Sequence, residues 1–83
     1  MHEIVFDKKA LIFLEKLDKN TQNIIGKKIE NLKTNSKLGK PLTGKLGGLW
    51  SLRVGDYRAI YQIRHDKLVI LVLKLGYRKN VYD

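Results

Sequence analysis

Residues 49–75 read LWSLRVGDYRAIYQIRHDKLVILVLKL, and the fold turns on them. Three runs rich in β-branched, aromatic and aliphatic residues are separated by Gly55-Asp56 and by His65-Asp66. That pattern predicts a three-stranded antiparallel meander. Glycine at the first position of a two-residue loop takes a positive φ at little cost. With that loop, Val54 faces Tyr57, Arg53 faces Arg58, Leu52 faces Ala59, Ser51 faces Ile60 and Trp50 faces Tyr61. Side chains alternate between the faces of a strand. Trp50, Leu52, Val54, Tyr57, Ala59, Tyr61 and Ile63 therefore form a core face. Leu49, Ser51, Arg53, Arg58, Ile60 and Gln62 form the other. Two arginines stand directly opposed on that second face, an arrangement that repels. Two readings stand beside each other: a pair of solvated surface arginines, or a clamp for an anion.

Upstream, the short apolar segment His2 to Phe6 reads as a first strand joining the same sheet. Asp7 is a plausible N-cap for a helix with an apolar face at Ala10, Phe13, Leu14 and Leu17. Asp18 or Asn20 caps a second helix running to about Lys33, with Ile24, Ile25, Ile29 and Leu32 on its apolar face. Few residues join the two, so an antiparallel pair is expected. Gly26 either weakens the second helix or lets a neighbour approach closely. Residues 34–48, TNSKLGKPLTGKLGG, read as a long loop pinned to the body by Leu38, Leu42 and Leu46. Leu68 to Leu73 lacks polar alternation and reads as a central strand covered on both faces or largely so. Gly76 ends that strand or bends it.

The chain has 83 residues, which suits a single domain over 1–83. It has no cysteine and two histidines, His2 and His65, with no carboxylate cluster beside either. Neither a disulfide framework nor a metal centre is expected. The longest apolar run is too short to span a bilayer, and the start is not a signal peptide, so a cytoplasmic protein without a membrane partner is expected. Charge is the strongest global signal. Seventeen lysines and arginines against eight acids give +9 and a pI near 9.9. Such a balance points to a polyanionic partner. Between Lys8 and Lys45 there are ten lysines and no arginine, whereas all four arginines lie in the C-terminal half. Lysine is a solvated point charge, while the guanidinium fork matches phosphate oxygens.

No carboxylate pair, P-loop, dinucleotide glycine pattern or nucleophile triad occurs, so no cofactor is expected. Asp56, Asp66 and His65 fall in turns, and the aspartates there are ordinary turn chemistry. What remains is arginine, lysine and tyrosine around a sheet. One reaction suits that set: RNA transesterification, in which the ribose 2′-OH is the nucleophile and the protein aligns it, stabilises charge and moves protons. Tyrosines also stack on unpaired bases. Binding of nucleic acid without catalysis fits the composition equally.

The run GLWSLRVGDYRAIYQI (residues 48–63), followed by LKLGYRKNVY (residues 73–82), resembles the RelE/ParE superfamily of toxin–antitoxin toxins. The resemblance covers nearly the whole chain, and size, basicity and lack of cysteine match the RelE branch. It implies an α+β fold: an N-terminal strand, an antiparallel helix pair, then a three-stranded antiparallel meander forming one curved sheet. It implies a type II toxin that cleaves mRNA in the A site of the ribosome by 2′-OH attack without a metal. The implied partners are a RelB-type antitoxin, the ribosome and mRNA, with operator DNA reached only through the antitoxin. By position, Arg58 matches a family arginine at the scissile phosphate. Arg78 matches one that stabilises charge and protonates the leaving group, Tyr82 a C-terminal tyrosine for positioning or proton transfer, and Arg53 a basic residue of the preceding strand. Lys45, Ser51, Tyr77 and Lys79 are the accompanying RNA-binding candidates. The chain departs from RelE enzymes at Leu49 and Ser51, where those enzymes carry lysines, and Lys45 is the nearest lysine in sequence. Some related toxins carry histidine where this chain has Tyr77. Two other functions share the pattern: a ParE-like inhibitor of DNA gyrase without nuclease activity, and an inactive nucleic-acid-binding homologue.

Overall fold

In the computed structural model, which describes residues 1–79, the elements run β1 (Glu3–Phe6), α1 (Lys8–Glu15), α2 (Lys19–Glu30), β2 (Lys40–Pro41), β3 (Trp50–Val54), β4 (Tyr57–Arg64) and β5 (Val69–Tyr77). Short 3-10 turns cover Asn31–Lys33 and Gly44–Leu46. Among the described residues the sheet has five strands in the order β1-β5-β4-β3-β2. β1 runs parallel to β5, and the other neighbours are antiparallel. This is the expected α+β, RelE-like architecture, with an extra edge strand.

The hairpin register is the one the alternation predicts, from Trp50 opposite Tyr61 to Val54 opposite Tyr57. Gly55 holds φ 58, as the two-residue loop requires. Leu52, Val54, Ala59, Tyr61 and Ile63 are buried on one face, with Ile70, Val72 and Leu75 of β5 beside them. Ala10 of α1, Ile25 and Ile29 of α2, and Leu32 complete the core. α1 lies against β5 and α2 against β3, so both helices cover the same face of the sheet. Asp7 caps α1 by accepting from the Lys9 amide at 3.3 Å, and Asp18 caps α2 by accepting from Thr21 at 3.1 Å. The bond from Thr21 Oγ1 holds the Asp18 carboxyl below its usual range. Among the described residues no helix is long and apolar enough to cross a membrane.

Several expectations need correction. Leu68 stands before β5 with φ 53 and is exposed, and Val69, Leu71 and Leu73 are only half-buried. β5 is central because β1 and β4 flank its edges, but the helices cover only one of its faces. β5 also runs on through Gly76 to Tyr77, with a register shift opposite Ile60 and Tyr61. Ile24 is exposed rather than packed, and a Cβ on Gly26 meets nothing within 4 Å, so that glycine serves no close approach. On the other face, Ile60 and Ser51 are buried as well. Leu46 of the turn at Gly44–Leu46 lines one cavity with Leu49 and Ile60.

The loop is tied down chiefly from beneath. Leu38 and Leu46 remain more than a third exposed. Tyr61, fully buried and stacked on Trp50, donates its hydroxyl to the Ser36 carbonyl at 2.8 Å and accepts from the Gly39 amide at 3.1 Å. That brings the next two residues, Lys40 and Pro41, alongside Ser51 and Trp50 as β2.

Candidate nucleic-acid interface

The β3–β4 hairpin sets Arg53 directly across from Arg58 on the face away from the helices. Ser51, two residues before Arg53, lies on the same face and is 5% exposed. Arg58 Nη1 donates to Ser51 Oγ at 3.2 Å, which orients one guanidinium of the pair. On the other side, the strand partner of Arg58 is Gly76, and Lys74, two residues along β5, shares its face. Two cations held side by side repel unless an anion lies between them. Among the described residues no carboxylate reaches ion-pair distance of Arg53, Lys28 or Lys40, and the ion pairs join Lys33 to Glu30 and Arg64 to Asp66.

A cavity of about 430 Å³ opens at the edge of β3 where the two-residue β2 stops. Among the described residues its cations are Arg53, Arg58, Lys40 and Lys28, and no acid lines it. Leu38, Pro41, Leu42 and Leu52 supply an apolar wall, and Ser51 and Gly39 close it. Lys40 arrives there because it pairs with Ser51, so its side chain shares a face with Ser51 and Arg53. Lys28 arrives from α2, on the far side of the β3 edge. Gly39 is obligatory at this corner. A Cβ there stands 2.5 Å from the Ser51 carbonyl oxygen and 2.9 Å from the Tyr61 hydroxyl.

A second cavity, also of about 430 Å³, lies at the tip of the hairpin and is lined by Asp56, Tyr57, Tyr77, Arg78 and Lys79. The Arg78 amide donates to the Asp56 carbonyl at 2.8 Å, which fixes the start of the C-terminal segment against the loop. Tyr57 and Tyr77 are cross-strand partners and stack with centroids 5.2 Å apart, and Phe13 of α1 meets both edge-on. Burial, then the electrostatic and hydrogen-bonding influence of Tyr77, pushes the Tyr57 hydroxyl above its usual pKa. Tyr77 itself is half exposed.

The expected site residues thus fall into groups. Arg53, Arg58 and Ser51 come together in one cavity, and Arg78, Tyr77 and Lys79 in another. Tyr77 stands with Tyr57 on the helix-bearing face, opposite Arg58. Lys45 sits exposed in the Gly44–Leu46 turn and lines neither cavity. Tyr82 lies outside the described residues. Lys28 and Lys40 enter the first cavity without having been expected there. No local pattern marks Lys28, whereas Lys40 carried a usable signal: it stands beside proline in a stretch long enough to return as an edge strand.

Over residues 4–82 the chain matches the family described as ParE toxin of type II toxin-antitoxin system, parDE. It is 35% identical over 46 residues to toxin RelG of Mycobacterium tuberculosis, a match covering 55% of this chain and 53% of RelG. The chain thus spans about half the length of that curated relative. Among solved structures, the toxin–antitoxin complex RelBE2 of M. tuberculosis superposes with a TM-score of 0.84 at 26% identity, covering 93% of this chain and 98% of that one. The archaeal RelE–RelB complex of Pyrococcus horikoshii OT3 gives 0.76 at 25% identity, over 96% and 98%.

Proposed function

The chain belongs to the RelE/ParE superfamily of type II toxin–antitoxin toxins, and from that premise we propose that it is a ribosome-dependent, metal-independent endoribonuclease acting on mRNA in the A site. The observation that carries the reading is the opposed pair Arg53 and Arg58 in a cavity that Lys40 and Lys28 also line. In the reaction the 2′-oxygen of the message bonds to phosphorus and the bond to the 5′-oxygen breaks. One proton leaves the 2′-OH and one reaches the departing 5′-oxygen. The products are a 2′,3′-cyclic phosphate and a 5′-hydroxyl. The substrate brings its own nucleophile, so the protein contributes alignment and charge. Arg58, steadied by Ser51, contacts the scissile phosphate, and Arg53 balances charge as the phosphorane forms. Arg78 and Tyr82 are assigned the leaving group from the family pattern alone, since Arg78 lines the second cavity, at the hairpin tip. Ser51, Lys45, Tyr77 and Lys79 hold flanking RNA.

The structures this chain resembles include toxin–antitoxin complexes of RelE with RelB. A RelB-type antitoxin is accordingly the proposed inhibitor, and the operon's DNA is reached through it. An acidic antitoxin segment suits a chain of net charge +9. The proposed place of action is the cytoplasm, where messages are translated.

A second reading has its own support, because the matching family is described as ParE toxin. In that reading the chain binds DNA gyrase and cuts no RNA. Primer extension on messages from expressing cells, run beside a supercoiling assay with purified gyrase, separates the two. New 5′ ends with normal supercoiling support the nuclease. Intact messages with blocked supercoiling support the gyrase inhibitor.

A further inference from the structure

The first cavity holds more positive charge than one phosphate needs. Arg53 and Arg58 already form a pair across the hairpin. Lys40 pairs with Ser51, two residues along β3 from Arg53 on the same face. Diagonal neighbours on adjacent strands stand roughly 7–8 Å apart, which is of the order of the step between neighbouring phosphates in an extended single strand. Lys28 stands at the same edge from α2, and both lysines are exposed. Leu38 and Pro41 give the same cavity an apolar surface.

We propose that Lys40 and Lys28 form a second phosphate subsite, so that single-stranded RNA leaves the arginine pair along the β2 edge of the sheet, with a ribose or base against Leu38 and Pro41. The proposal rests on RNA as the substrate class and adds a direction to it. On this side of the arginine pair the strand passes over Ser51 towards β2, while Tyr77 and Lys79 lie towards the other end, at the hairpin tip. Gly39, with no room for a side chain, and Tyr61, bonded to Ser36 and Gly39, hold β2 at the height that puts Lys40 in line.

The test is binding of a fluorescent 2′-O-methyl oligouridylate, which cannot be cut, by the purified full chain across a salt series. Each phosphate contact on a single strand contributes about 0.7 to the slope of log affinity against log salt. Lys40→Gln and Lys28→Gln should each make that slope shallower by about 0.7, and the double variant by about 1.4. Lys67→Gln, in the turn at the far end of β4, should leave it unchanged. Equal slopes for all three single variants, or no binding by the unaltered chain at low salt, overturns the proposal. So does loss of binding to an acidic helical peptide in the Lys28 and Lys40 variants with RNA binding intact. A shifted slope in a chain that leaves messages whole in primer extension upholds the subsite and removes the nuclease reading.

Discussion

Arg58 Nη1 donates to Ser51 Oγ at 3.2 Å, diagonally across the hairpin from one strand to the next. Ser51 is buried, so its hydroxyl is a fixed point rather than a solvated one. A charged donor anchored to a buried hydroxyl keeps one orientation before substrate arrives, and preorganised charge is what stabilises a developing anion. Ser51→Ala should therefore lower cleavage by about tenfold, equivalent to ~1.4 kcal/mol of barrier, with little change in melting temperature. Single-turnover cleavage and thermal denaturation on the same preparation check it. A variant as active as the parent removes Ser51 from the mechanism.

Tyr61 is the bolt under the loop. Tyr61→Phe leaves the Gly39 amide and the Ser36 carbonyl without their shared partner, at a cost of about 1–3 kcal/mol. Gly39→Ala drives a Cβ into the Ser51 carbonyl, so the backbone of β2 must move. Urea unfolding should show the first loss. Salt-dependent RNA binding should show Gly39→Ala weakened in the same sense as Lys40→Gln.

Gly26 sits inside α2 with open space where a Cβ belongs. Gly26→Ala should stabilise the chain by ~1 kcal/mol, since alanine holds a helix better and nothing resists it. Urea titration is again the measurement, and an unchanged midpoint contradicts the placement of Gly26 in an uncrowded helix interior.

The Asp18 cap carries a pH signature. Bonds from the Thr21 side chain, and then its backbone amide, lower the folded carboxyl below its ordinary value of 3.8. A depressed carboxylate contributes stability that is fully present above the unfolded value and is lost as pH falls through the folded one. The stability gap between the parent and Asp18→Asn should hold near neutrality and close as pH drops below about 3.8. A gap that persists under strong acid means the cap does not work through charge.

Much of the fold was legible because two local signals agreed. Alternation in residues 49–64 and a glycine able to take positive φ at position 55 set the register by themselves, and Arg53 opposite Arg58 follows from that register alone. Caps at Asp7 and Asp18 were equally local. What escaped was non-local. A two-residue strand has no period to detect, so β2 read as loop. Lys28 joins the arginines only because α2 crosses the edge of β3, and Lys45, nearer in sequence, folds away in a 3-10 turn. Tyr61 was recognisable as a core residue, but nothing nearby announces that its hydroxyl reaches back to Ser36 and Gly39. The aromatic pair Tyr57 and Tyr77 follows from the extension of β5 past Gly76, which glycine alone does not foretell.

The central claim is that the arginine pair lets a message cut itself with its own sugar hydroxyl. It is tested most directly with purified protein on ribosomes holding a message with an open A site. Two messages are compared, identical except for a 2′-deoxy sugar at the cleaved nucleotide. The account predicts a discrete cut in the all-ribose message, none in the deoxy message, and none in either with a folded Arg58→Ala variant. Cutting of the deoxy message, or undiminished cutting by Arg58→Ala, contradicts it.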